Sequence, residues 1–273
     1  MTPPTRRVPS LLAHWHTTAS QFRAGSRVAI FLDFDGTLVD IAPRPQLVRL
    51  KPATRRILER LARRPLATLV VISGRRREEL VHYIGIPNIR YLGLYGWESS
   101  RASALPFPAK TALRKARLHL EAQLRAYPSV WIENKRSSFS VHLLDVPAAL
   151  QSRVRSTLRS QLKRYRHALR SVENLRDVEV LPRSIPGKGR AVRRLLAQPA
   201  FRGAFPFYFG DDFSDESGFL AVRRGISVHV GKSRTTHARF SLRNPAEVTA
   251  ALLKLEAELS ERADSVHAVG ASK

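Results

Sequence analysis

Two carboxylates, Asp33 and Asp35, stand at the end of the apolar run Val28-Ala29-Ile30-Phe31-Leu32 and just before Gly36. Five apolar residues in succession describe a strand buried on both faces, as in a parallel sheet. Gly36 lets the chain turn sharply where that strand ends. Alternate residues of an extended segment point the same way, so Asp33 and Asp35 are placed to face one small site. Two close carboxylates repel unless a cation lies between them, and Mg²⁺ is the usual cation for oxygen ligands. Asp-Gly segments also serve as plain solvated turns. The chemical reading is a catalytic site at the carboxyl edge of a sheet, where open α/β folds bind ligands.

Three further groups suit the same chemistry. Ser73-Gly74 supplies a hydroxyl and an unshielded backbone N–H, both donors to a phosphoryl oxygen. Lys188, following Gly187 at the start of a helix, can neutralise a phosphate near that helix's positive end. Asp211, Asp212, Asp215 and Glu216 form an acidic cluster in a chain poor in acids, and carboxylates of this kind suit a hard cation. Each group has a plainer reading: a strand-ending turn for Ser73-Gly74, helix caps for the acids. Gly187-Lys188-Gly189 is no P-loop, because Pro182 occupies the earlier glycine position. The ordered set at several strand ends is what argues for a site.

The elements that must position these groups follow from hydrophobic periodicity. Leu47 to Arg64 carries Leu50, Ile57, Leu58 and Leu61 at helical spacing, and Leu66 to Ile72 is a second buried strand. A helix over Arg76–Ile84 and a strand over Asn88–Leu94 complete the first half of a doubly wound, mostly parallel α/β core. From Leu105-Pro106-Phe107-Pro108 the order changes to α-β-β-α-β-β, which predicts an inserted α+β cap domain closed by Leu181-Pro182-Arg183-Ser184-Ile185-Pro186. The two short strands that close it flank Asn174-Leu175-Arg176-Asp177. The α/β alternation resumes after Lys188-Gly189, with strands at Phe205–Phe209 and Ile226–Val230 and helices at Ser217–Arg224 and from Pro245 to Leu259. The expected organisation is a tail over residues 1–26, a core over 27–104 and 184–260, a cap over 105–183, and a tail over 261–273.

The four motifs Asp33–Leu38, Ser73-Gly74-Arg75, Lys188-Gly189 and Gly210-Asp211-Asp212-Phe213-Ser214-Asp215-Glu216 resemble those of the haloacid dehalogenase-type phosphatases. The last motif, Glu133-Asn134-Lys135 with Ser138 and His142, and the stretch Thr236–Val248 are together similar to the trehalose-6-phosphate phosphatase family. The resemblance implies that Asp33 attacks phosphorus as a covalent nucleophile and that Asp35 acts as general acid, then base. It further implies a Mg²⁺ ion held by Asp33, the Asp35 backbone carbonyl and Asp211, supported by Asp212 or Asp215. Ser73, Gly74 and Lys188 would bind the phosphoryl oxygens, and Glu133, Lys135 and Ser138 the sugar. The chain departs from the family at Tyr95, where His is usual, at Leu143-Leu144, where Tyr-Arg is usual, and at Leu181, where Arg precedes the proline. These departures leave another glycoside phosphate open beside trehalose 6-phosphate.

Composition narrows the classes. With no cysteine, disulfides, thiolate chemistry and Cys-bound zinc are excluded. No apolar run approaches the ~20 residues of a membrane span, and Ser10–His16 is too short and polar for a signal-peptide core. The expectation is a cytoplasmic monomer acting on a small sugar phosphate. A net charge of +25, mostly arginine, attracts polyanions and raises encounter rates with phosphorylated substrates. It also keeps a basic nucleic-acid-associated protein in view, although no sequence-reading motif accompanies the charge.

Overall fold

A computed structural model describes residues 8–22, 26–99, 105–174, 177–232 and 235–270. The chain divides into two compact units, Met1–Ser99 with Gly187–Lys273, and Ser100–Pro186. In chain order the first half of the larger unit holds α1 (Trp15–Ala19), β1 (Val28–Leu32), α2 (Pro52–Ala62), β2 (Ala67–Ile72), α3 (Arg77–Tyr83) and β3 (Ile89–Leu92). The insert holds α4 (Phe107–Leu124), β4 (Trp131–Asn134), β5 (Phe139–His142), α5 (Ala148–Leu162), β6 (Leu169–Glu173) and β7 (Asp177–Pro182). The larger unit resumes with α6 (Lys188–Leu196), β8 (Phe205–Gly210), α7 (Phe213–Ala221), β9 (Ile226–Val230), β10 (Phe240–Leu242) and α8 (Pro245–Gly270).

The larger unit is built on a parallel sheet in the order β10-β9-β8-β1-β2-β3. Strand β1 lies between β8 and β2, and all five of its residues are buried. Alternation then sorts its side chains: Val28, Ile30 and Leu32 join one apolar cluster, Ala29 and Phe31 the other. The first cluster packs against α2 and α8, and the second against α6 and α7. That arrangement is why β1 reads as unbroken hydrophobic sequence rather than as an alternating strand. The chain leaves β1 and β8, adjacent strands, at the same carboxyl edge, and Asp33 N–H donates to Phe209 O at 2.9 Å.

The insert is an antiparallel sheet in the order β4-β5-β7-β6. Its register sets Trp131 opposite His142, Glu133 opposite Ser140, and Ser140 opposite Glu179. These residues share one sheet face by alternation, while Phe139, Val141, Val178 and Val180 lie on the other and are buried. The turn residues Leu175 and Arg176 lie outside the described residues.

Two termini differ from the tails expected of them. Residues 8–22 are packed onto the core, with Leu11 N–H donating to Ser241 O at 3.0 Å and Leu11, Trp15, Ala19 and Phe22 buried. Those four positions recur at intervals of four and three, a helical stripe that composition alone conceals. At the other end α8 continues to Gly270 rather than stopping at Leu259. Residues 1–7, 23–25 and 271–273 lie outside the described residues. Helix α7 begins at Phe213, earlier than expected, because Asp212 caps it and Asp215 completes a capping box. Among the described residues no helix is long and apolar enough to cross a membrane.

Candidate active site

Three strand ends and one helix start converge in the larger unit. Lys188, the first residue of α6, follows Gly187, whose φ of +85° turns the chain into the helix. Its ammonium lies 2.8 Å from Asp33 Oδ1 and 2.8 Å from Asp215 Oδ1. Tyr208, on β8, donates its hydroxyl to the same Asp215 oxygen at 2.7 Å, and the Asp212 N–H donates to the other at 3.2 Å. Lys188 and Asp215 are buried, and Gly210 leaves the space Asp215 fills: a Cβ there would lie 2.3 Å from the Asp215 carboxyl carbon. Gly36 does the same for Asp211. With φ +78°, it lies so close that an added Cβ would meet Asp211 Oδ2 at 2.1 Å.

Oxygens of Asp33, Asp211 and Asp215 thereby come within 4.8 Å of one another. Such crowding perturbs them. Burial, countered by Lys188 and reinforced by Asp215, pushes the Asp33 carboxyl up to about 7. Burial and then the Asp33 charge hold the Asp211 carboxyl well above the usual carboxylate range. Burial works against the Lys188 ammonium, yet Asp215 and Asp33 hold its proton more tightly than usual. One lysine does not offset the acids gathered here. An all-oxygen set in which the Asp33 and Asp211 carboxyls are driven to take up protons fits a hard divalent cation, which would replace those protons.

Asp35 is placed differently. Its carboxylate, expected to face the same site as Asp33, receives both arms of Arg75: Nε to Oδ2 and Nη2 to Oδ1, each at 2.7 Å. Ser73 is buried at the end of β2, its Oγ accepting the Arg75 N–H at 3.2 Å. A Cβ on Gly74 would touch the Tyr95 ring at 3.0 Å. Leu94 and Tyr95 both adopt left-handed backbone, with φ of +46° and +58°. Consecutive non-glycine residues in that region are strained, and strain of this kind gathers at functional sites.

In the insert, Lys135 Nζ lies 2.7 Å from Glu179 Oε2, and Ser140 donates to the same oxygen. Burial disfavours the Lys135 ammonium, but Glu179 and Glu133 more than compensate. Glu133 meets His142 Nε2 at 2.8 Å, and the His142 ring stacks on Trp131 with centroids 3.7 Å apart. Glu133 and Lys135 thus belong to one polar cluster. Ser138 is buried nearby in sequence, with no hydrogen-bond partner on its Oγ. Sequence reasoning missed Glu179, although an acid inside Val178-Glu179-Val180-Leu181 is itself a signal. It gave no role to Arg75 or Tyr208.

A parallel sheet with acids at the ends of β1 and β8, a lysine opening α6 and an inserted α+β unit is a fold of haloacid dehalogenase type. The C-terminal domain of trehalose-6-phosphate phosphatase from Candida albicans shares that fold with a TM-score of 0.81 at 20% identity, covering 92% of this chain and 99% of that domain. The family model for trehalose-phosphatase matches residues 31–247, so the chain belongs to the trehalose-phosphatase family. A trehalose-phosphate phosphatase of Mycobacterium bovis is 31% identical over 252 residues, covering 85% of this chain and 62% of its own length. A probable trehalose-phosphate phosphatase of Oryza sativa is 29% identical over 92% of this chain and 71% of its own length. The chain thus spans about three fifths of the mycobacterial relative, 62%.

Proposed function

We propose that the protein is a Mg²⁺-dependent phosphatase hydrolysing trehalose 6-phosphate to trehalose and phosphate through a phosphorylated Asp33. The observation that carries the reading is the Lys188 ammonium set 2.8 Å from Asp33, beside Asp211 and Asp215. An Asp33 oxygen attacks phosphorus as the bond to the sugar oxygen breaks, and Asp35 gives that oxygen its proton. Water then attacks the phosphorus, the bond to Asp33 breaks, and Asp35 takes the proton of the water. Ser73, the Gly74 N–H and Lys188 hold the transferring oxygens, since phosphoryl transfer depends mainly on position and charge. Asp33, Asp211 and the Asp35 carbonyl would hold the cation, with Asp215 and Asp212 behind them, and the ion would supply charge to the phosphoryl group. Lys188 bridging to Asp215 and Asp212 capping α7 support that division of roles.

Family membership and the names of the relatives support trehalose as the sugar. Glu133, Lys135 and Ser138 in the insert supply hydroxyl contacts; the Lys135–Glu179 pair supports this, because ammonium and carboxylate together suit groups that both donate and accept. The test is phosphate release across a panel of sugar phosphates, with excess EDTA and then Mg²⁺. Release from trehalose 6-phosphate should exceed that from the rest, vanish in EDTA and return with the cation. Preference for another glycoside phosphate would keep the chemistry and overturn the sugar. Undiminished activity in EDTA would overturn the cation.

A further inference from the structure

Two groups assigned above to the phosphoryl oxygens, Ser73 and Gly74, lie just after β2, and residues 93–98 after β3 wrap around them. Leu94 N–H donates to Arg75 O and Tyr95 N–H to Ser73 O, each at 2.8 Å, while Glu98 Oε2 accepts the Arg77 N–H at 2.7 Å. Gly93 permits this approach, since a Cβ on it would lie 2.2 Å from Arg77 N. Beyond Tyr95 the loop reaches α6: an added Cβ on Gly96 would be 2.3 Å from Ala191 Cβ, one turn past Lys188. The loop therefore touches both elements that carry the phosphoryl-holding groups.

Tyr95 is buried and acts on Gly74 twice. Ser73 O and the Gly74 N–H belong to one planar trans peptide and point in opposite directions. By holding Ser73 O, the Tyr95 N–H fixes the direction of the Gly74 N–H, which donates to no group among the described residues. The Tyr95 ring meanwhile bounds Gly74: the atoms nearest a Cβ placed there are its Cζ and Oη at 3.0 Å and its Cε1 at 3.5 Å. Gly74 has no left-handed φ, so that ring, and not the backbone, requires a glycine.

We propose that Tyr95 is a positioning residue for phosphoryl transfer: its N–H orients the Ser73–Gly74 peptide and its ring holds Gly74 in place, so that the Gly74 N–H meets the transferring oxygen. The inference rests on the phosphatase reading above. Phosphoryl transfer depends on where such donors stand, so a small displacement of Gly74 is felt in the rate. The phosphoryl group is common to every substrate, and the effect is therefore independent of the sugar.

The experiment is a double-mutant cycle of wild type, Gly74→Ala, Tyr95→Gly and Gly74→Ala/Tyr95→Gly, each checked for folding by thermal melting. Glycine suits the φ of +58° at position 95, so Tyr95→Gly removes the ring and keeps the backbone bond to Ser73. Substrates are trehalose 6-phosphate and p-nitrophenyl phosphate, and inhibition by inorganic phosphate is measured beside them. In Gly74→Ala the methyl meets the ring and pushes Gly74 aside, so kcat/KM on both substrates should fall by one factor, roughly 10- to 100-fold. Inhibition by inorganic phosphate should weaken as well. Tyr95→Gly alone should cost about 3- to 10-fold on both substrates. In that background Gly74→Ala should cost less than about 3-fold more, because the atoms it would strike are gone. A tyrosine that merely stabilises the fold would lower melting and leave the cost of Gly74→Ala the same in both backgrounds. That equality, a loss confined to trehalose 6-phosphate, or full activity in Gly74→Ala would each overturn the proposal. If Gly74→Ala does not fold, the double variant should, and its failure to fold would overturn the proposal too. A wild type that hydrolyses neither substrate would instead overturn the phosphatase reading.

Discussion

At the scale of single residues, the site concentrates negative charge and offsets it incompletely. Asp33 shows the consequence most directly. Its ordinary value is 3.8, and burial raises it to about 7, so in the cation-free protein the native state holds a proton that the unfolded chain releases. Stability of the cation-free protein must then fall as pH rises from about 4 to about 7 and stay low above that. Asp33→Asn should melt higher than wild type at pH 8 in EDTA, by on the order of 2–4 kcal/mol, with the gap closing below pH 4. The same variant should release no phosphate. Equal melting at pH 8 would mean that Lys188 already neutralises the pair, and turnover by the variant would exclude Asp33 as nucleophile.

Among the elements, helix α6 is pressed against α7 where Gly189 faces Ser217. A Cβ on Gly189 would lie 2.2 Å from Ser217 O, and the Gly189 N–H donates to Ser217 Oγ at 3.0 Å. Gly189→Ala should therefore destabilise the fold by about 1–3 kcal/mol and, by moving Lys188, lower kcat more than KM rises. A variant with wild-type melting and kinetics would show that the helices separate freely. Helix α8 is tied to α2 by Glu256, which is buried and meets Arg60 and Arg64. Burial raises its carboxyl, but the Arg64 hydrogen bond and the two guanidinium charges outweigh burial and hold it below its ordinary value. Its contribution is present above the ordinary carboxylate range, ~4.3, and is lost as pH falls through the lowered value. Glu256→Gln should cost about 1–2 kcal/mol at pH 7 and progressively less in acid; a pH-independent difference in chemical denaturation would contradict this. Most of these elements were legible because β1 and β8 are apolar runs with acids following directly, and β2 is broken only by Thr68. Strand β10 was not, since Phe240-Ser241-Leu242 is too short to show a period. Nor was the Asp35–Arg75 pair, because partners 40 positions apart leave no local pattern. Burial of Lys135 escaped notice for the same reason, its partner Glu179 lying on another strand.

For the molecule as a whole, a net charge of +25 is a property the proposed chemistry uses only in part. Arginine is spread over both units, and Arg153 and Arg159 of α5 are exposed. Binding to DNA or RNA should be governed by counterion release, weakening steeply between 50 and 200 mM salt, roughly 10³- to 10⁵-fold if 6–10 phosphates are contacted. Mobility shifts on unrelated sequences should be alike. A shift confined to one sequence at physiological salt would give the charge a different meaning.

The order of the strands has one more consequence, and it concerns synthesis. Residue 28 pairs with residue 67 on one side and with residue 205 on the other, so β1 waits through roughly 180 residues of translation, about 10–35 s, for its second neighbour. The insert, contiguous in sequence, is complete before β8 leaves the ribosome. Until then Val-Ala-Ile-Phe-Leu presents an open, wholly apolar edge to the cell. Pulse-labelled nascent chains halted before residue 205 should be bound by chaperones, and chains halted past β8 should be released from them.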